Sequence, residues 1–128
     1  MNSWVWIDPD VLLSAHDEQL QAHGGVSGIR DPELFQSVLQ RPQDLAGYDG
    51  SDAARLAAAY ALALARNSAL VNGNERTALV ALELFLVLNG FALVADDAQC
   101  VLATLSAASG AFSEFELAEW IRNHAKPA

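Results

Sequence analysis

The stretch Ser68-Ala69-Leu70-Val71-Asn72-Gly73-Asn74-Glu75-Arg76 holds the residues whose types and spacing could do chemistry. Gly73 tolerates positive φ and lets a ligand come close to the backbone. The free N–H groups of a helix beginning near Asn74 make a positive end that suits an anion, phosphate above all. Arg76 adds a forked donor matched to phosphate oxygens. The same pattern also fits an ordinary helical hairpin closed by Gly-Asn, with Arg76 paired to a surface acid. The stretch contains no histidine, no cysteine and no acid ahead of Gly73.

The elements that must position this turn flank it directly. Residues 51–67, "SDAARLAAAYALALARN", are helix formers that are apolar on nearly every side, so a buried helix is expected. After the turn, "NERTALVALELFLVLNG" has the same character, with Asn74 offering a cap and Gly90 a left-handed stop. Two such helices must both lie inside the bundle. The turn joining them then emerges where core meets solvent, with Leu70 and Val71 pinning it down.

Punctuation defines the remaining helices. Asp8-Pro9 starts one that should end at Gly24-Gly25, and Asp31-Pro32 starts another that carries Leu34, Phe35, Val38 and Leu39 inward until Pro42. "QDLAGYDGSD" reads as a flexible loop and "FALVADD" as extended chain. Asp96 or Asp97 caps a helix running to Gly110, and Ser113 with Glu116 forms a capping box for a last helix from Glu114 to about His124. The expectation is an all-α, single-domain helical bundle over residues 1–128. It has about six helices, a buried central hairpin, and room for a short strand at Trp4 to Ile7.

"ARNSALVNGNERTALVALELFLVLNGF" resembles, without a gap, the signature of the Fic/Doc family, whose Doc branch reads HxFxDGNKRTA before an apolar helix and Asn-Gly. "AHDEQLQAHGGVSGIRDPELFQSVLQRP" and "SAASGAFSEFELAEWIR" resemble the N-terminal and C-terminal parts of Doc, so the likeness runs over roughly residues 7 to 122. The resemblance implies ATP and Mg²⁺ as cofactors and transfer of a phosphoryl or AMP group to a protein hydroxyl. The motif histidine would act as general base, the acid would hold Mg²⁺, and Gly73, Asn74 and Arg76 would grip nucleotide phosphates. The AMP-transferring branch carries a second arginine three residues after the first. Leu79 stands there, which favours the Doc branch.

Several motif positions depart from the family pattern. Ser68 occupies the histidine position, Leu70 the phenylalanine position, Asn72 the acid position and Glu75 the lysine position. A serine hydroxyl cannot take a proton at neutral pH as imidazole does, and a positioned general base contributes about 10²- to 10⁴-fold. Asn72 is a neutral oxygen, weaker toward Mg²⁺ than a carboxylate. Glu75 sets a negative charge where phosphates want a positive one. Together these changes predict a Doc-like protein with a degenerate motif and impaired transfer. Two alternatives stand beside it: an active ATP-dependent modifier with a rebuilt site in which Glu75 supplies the carboxylate, and a non-catalytic interaction module.

Composition bounds the partners. A net charge of -9, with seven scattered basic residues, disfavours nucleic acid. The longest apolar run, Leu56 to Ala65, falls short of the roughly 20 residues of a membrane span, and the N-terminus lacks a basic n-region, so neither membrane nor secretion is expected. The lone Cys100 reads as a small buried hydrophobe and suits a reducing cytoplasm. His16 and His23 sit about 10 Å apart along one helix, too far to share a zinc, so packing or capping is the expectation for them and for His124. Trp4, Trp6 and Trp120 are expected to close the bundle's ends. The Doc toxins that the chain resembles are held by a small antitoxin protein that folds onto them, which makes such a protein the expected partner, alongside a protein target.

Overall fold

Helix α3 (Ala53–Arg66) lies at the centre because its alanines present almost no bulk on any side. Ala57, Ala58, Ala59 and Ala61 are fully buried, as are Leu56 and Leu64. The computed structural model describes residues 3–48 and 50–128. Around α3 pack α4 (Asn74–Leu88), α6 (Glu114–His124), α2 (Pro32–Leu45) and α5 (Asp97–Ser109), in decreasing order of contact. Helix α1 (Pro9–His23) lies against α4. Two short strands, β1 (Phe91–Leu93) and β2 (Ala125–Pro127), pair antiparallel with Ala92 opposite Lys126. The fold is the expected six-helix, mostly helical one with α3 and α4 as its inner hairpin.

Five helices begin on a side-chain cap, and those of α1, α2, α5 and α6 fall on residues that the sequence points to. The carboxylates of Asp8, Asp31, Asp52 and Asp96 accept from first-turn amides of α1, α2, α3 and α5, and Ser113 with Glu116 makes a full capping box on α6. Asp52 also receives both arms of Arg122, at 2.8 and 2.9 Å, which ties α3 to α6. That hydrogen-bonded guanidinium holds the Asp52 carboxyl below the usual carboxylate range.

Four boundaries differ from the sequence reading. No strand forms at Trp4 to Ile7. The Asn89 side chain accepts from the Val5 amide (2.9 Å) and donates to the Val5 carbonyl (3.0 Å), so one amide group replaces a partner strand. Helix α2 runs through Pro42 to Leu45. The proline costs an intrahelical bond, but its buried ring packs into the core and the chain stays helical. Asn74 is the first residue of α4 rather than its cap, which is Gly73. Strand β2 was not anticipated, because three residues containing a proline carry no strand pattern of their own. Asp49, at the loop expected over 43–52, lies outside the described residues, as do Met1 and Asn2 of the N-terminal segment.

The aromatic residues close one end. Phe85, fully buried, stands 5.3 Å from Tyr60, 5.7 Å from Trp6 and 6.0 Å from Trp4, ring centre to ring centre. The Tyr60 hydroxyl accepts from the Ile7 amide, and burial pushes its pKa up. Trp120 stacks on His124 at 4.4 Å, and the His124 Nδ1 meets the Trp120 carbonyl, so this histidine is packed as expected.

Candidate functional site

The turn between α3 and α4 is held from outside by the chain that leaves α1. Arg30 and Asp31 amides both donate to the Ala69 carbonyl, at 2.8 and 3.1 Å, and Val71 donates to the Gly28 carbonyl at 3.0 Å. Ile29 and Leu70 form an antiparallel bridge. The Arg30 guanidinium donates through Nε to the Ser68 carbonyl. Arg30 was not foreseen as part of this region. Its 38-residue separation from Ser68 leaves no local signal, and only the folded chain joins them.

Within the turn each motif position has a definite place. Ser68 is exposed. Leu70, in the phenylalanine position, is buried to 1% exposure and anchors the turn in the core. The Asn72 side-chain Oδ1 accepts from the Val26 amide at 2.8 Å. Asn74 turns its side chain back on Leu70, accepting from its amide and donating to its carbonyl, both at 3.1 Å. Its side chain is thus occupied, and what Asn74 offers a ligand is its backbone N–H.

That bracing gives a direct prediction. Asn74→Ala strips both partners from a buried backbone unit, and each orphaned group costs about 1–3 kcal/mol. Urea unfolding of Asn74→Ala should show a loss of at least about 2 kcal/mol, the lower end for the two groups together, with faster amide exchange at Leu70. A change under about 0.5 kcal/mol, the scatter of surface substitutions, would mean that the turn is held by its other bonds.

Gly73 takes φ +74°, in the left-handed region, and no side chain caps α4. Among the described residues, the other helices all begin on a side-chain cap, so α4 alone leaves its first-turn amides without one. A Cβ on Gly73 would lie 3.4 Å from both His16 Cε1 and Leu20 Cδ2, so α1 closes the turn from beneath. The His16 ring is 1% exposed, and its Nδ1 lies 2.9 Å from the Thr77 hydroxyl.

Glu75 and Arg76 face a groove of about 480 Å³ between α1, α4 and α5. Leu79, Val80, Val101 and Leu105 give it apolar walls, and its other polar groups are Gln19, His23, Glu83, Asp97 and Thr104. Burial, and secondarily the nearby Asp97, push the Glu83 carboxyl up. Burial with the acids Glu83, Asp97 and Asp96 does the same to the Cys100 thiol, which is buried as expected. Ser68, Asn72 and Gly73 are not among the groove's lining residues, so the structure brings Glu75 and Arg76 together there and leaves the rest of the motif on the turn. A second cavity of about 430 Å³, between α2, α3 and α6, touches the region only at Asn67.

The chain belongs to the Fic/DOC family, whose model matches residues 6–86, a span that holds the bend, the uncapped start of α4 and Arg76 in its first turn. Its relatives put it in the Doc branch. The chain is 32% identical over 117 residues to "Protein kinase doc" of Escherichia phage P1, covering 91% of this chain and 92% of that protein. It is 48% identical over 79 residues to "Toxin Doc" of Mycolicibacterium smegmatis, 59% of each chain. Among the described residues, no helix is long and apolar enough to cross a membrane.

Proposed function

We propose that the chain is the toxin-like member of a toxin–antitoxin pair, a single Doc-like domain over residues 1–128 that acts in the cytoplasm. In this reading it keeps a nucleotide-phosphate cradle but transfers a phosphoryl or AMP group poorly. The observation that carries the reading is the uncapped start of α4, whose amides at Asn74, Glu75 and Arg76 have no partner within the helix. The Gly73 and Asn74 backbone and the Arg76 guanidinium would hold the phosphates of ATP. Ser68, exposed at the base position, has no means of taking the target hydroxyl's proton.

The side chains present do not fit a protein-anchored Mg²⁺. Asn72, at the acid position, is a neutral amide whose oxygen already accepts from Val26, and Glu75 lies along the groove with Arg76. Mg²⁺ would arrive with the nucleotide and be held by its phosphates. The partner is a small antitoxin. Support for one comes from the outer face of α5, where Val101, Leu102 and Leu105 are 46–66% exposed beside a groove edged by Glu75, Glu83 and Asp97. An amphipathic segment carrying basic residues matches that combination.

ATP titration by calorimetry, with radiolabelled ATP and candidate target proteins in parallel, tests the reading. The expected result is weak nucleotide binding with no more than trace labelling. Robust labelling by the protein with Ser68 in place would refute it in favour of a rebuilt active site. Absence of any nucleotide binding would leave a pure interaction module.

A further inference from the structure

Helix α1 buries a stripe of Leu12, His16 and Leu20, one residue per turn, against the core. Leucine in the middle position would pack as its neighbours do and need no hydrogen bond. Histidine there meets Thr77 through Nδ1, while Nε2 is, among the described residues, the one buried side-chain polar atom without a partner. The same ring lies under the Gly73 turn, with Cε1 3.4 Å from the place of a Gly73 Cβ. A polar ring with one nitrogen unsatisfied is an expensive filler for a packing position, and the turn that it supports begins α4.

We propose that His16 is a proton-sensitive latch on the Gly73 turn: neutral, it fills the floor of the turn and joins α1 to α4 through Thr77; protonated, it must leave that floor and the turn loosens with it. In the imidazolium both nitrogens are donors. The Nε2 proton would then be buried with its charge and no acceptor, which the interior does not tolerate. Thr77 can still accept from Nδ1, so the conflict lies at Nε2. The ring is faced on α4 by the Gly73 backbone and the Thr77 hydroxyl, neither of which titrates. Glu75, Arg76 and Glu83 of the same helix line the groove, as does His23 of α1. Asp17, adjacent on α1, favours the charged form, but burial outweighs it and draws the His16 pKa down.

The sign follows. A histidine held below its ordinary value of about 6.5 is neutral in the closed form, and any open form takes up a proton more readily. The latch is therefore fully closed above that value, and opening grows as pH falls below it. The growth is at most about tenfold per pH unit, the limit for one proton, until the depressed pKa is passed. The inference concerns the same turn as the proposed phosphate cradle, but it is tested without nucleotide, so a failure to bind ATP leaves it standing.

Nitrogen-15 NMR of the imidazoles, together with amide exchange of residues 73–77 corrected for the intrinsic pH effect, should be followed from about pH 8 to about pH 5 in the wild-type protein and in His16→Leu. The wild type should show His16 still neutral below the ordinary histidine value of about 6.5, and exchange at residues 73–77 that accelerates by up to tenfold per pH unit below that value. His16→Leu should show flat corrected exchange over the same range. Exchange that accelerates equally in His16→Leu, or a His16 that titrates at its ordinary value with the turn undisturbed, would overturn the latch. If His16→Leu does not fold, the wild-type titration decides alone: His16 ionisation and turn opening must share one midpoint.

Discussion

Ser68→His, Asn72→Asp and Glu75→Lys introduced together should raise ATP-dependent labelling of a target protein by at least about a hundredfold over the chain as it stands, within the 10²- to 10⁴-fold that a positioned base contributes. The geometry favours acceptance of all three. Ser68 is exposed and its backbone carbonyl is fixed by Arg30, so an imidazole there meets no core atom and starts from a rigid main chain. An aspartate at 72 keeps an oxygen for the Val26 amide and replaces the amide nitrogen with a second oxygen able to bind Mg²⁺. A lysine at 75 replaces a carboxylate beside Arg76 in a groove that already holds Glu83 and Asp97. Single replacements should each recover less, because base, metal anchor and phosphate charge act as a unit. Labelling that stays at background in the triple variant, with ATP bound, would show that these three positions do not limit transfer.

The largest stability effect is expected at Phe85→Ala, at about 3–5 kcal/mol by equilibrium unfolding in urea, a large share of the 5–15 kcal/mol typical of a domain. Phe85 is fully buried and its ring is the one that Trp4, Trp6 and Tyr60 share. Removing it opens a cavity between α4 and the N-terminal segment. The segment is otherwise fastened by Asn89 on Val5 and by Tyr60 on Ile7. Tryptophan emission should therefore shift to the red in the folded variant, ahead of global unfolding. Phe85→Leu keeps most of the volume and should cost less than half as much. Equal losses for the two variants would mean that aromatic contact, rather than filled space, governs this end of the bundle.

The helical plan was legible because its signals are local. An acid before a proline, a serine three residues before a glutamate, and an unbroken run of small apolar residues each state a physical requirement within a few positions, and α1, α3, α6 and the start of α2 followed. What was not legible depends on distant partners. Asn89 substitutes for a strand opposite Val5 across 84 residues, and Arg30 reaches Ser68 across 38. Pro42 reads as a stop unless one knows that its ring is buried. At the site, the types of Gly73 and Arg76 raise the expectation of an anion cradle, yet the sequence could not say that Asn74 spends its side chain on Leu70, nor that Asn72 spends its side-chain oxygen on Val26. His16 looked like a packed histidine and is one. Its unsatisfied nitrogen is a property of the surrounding helices.

The alanine-faced α3 is an axle: four other helices rest on one slender rod, so a single added methylene at Ala57 or Ala58 would push on several of them at once. Ser68 and Glu75, by contrast, lean on nothing in the interior. Replacements at these two exposed positions therefore leave the frame in place, whereas replacements along the rod do not.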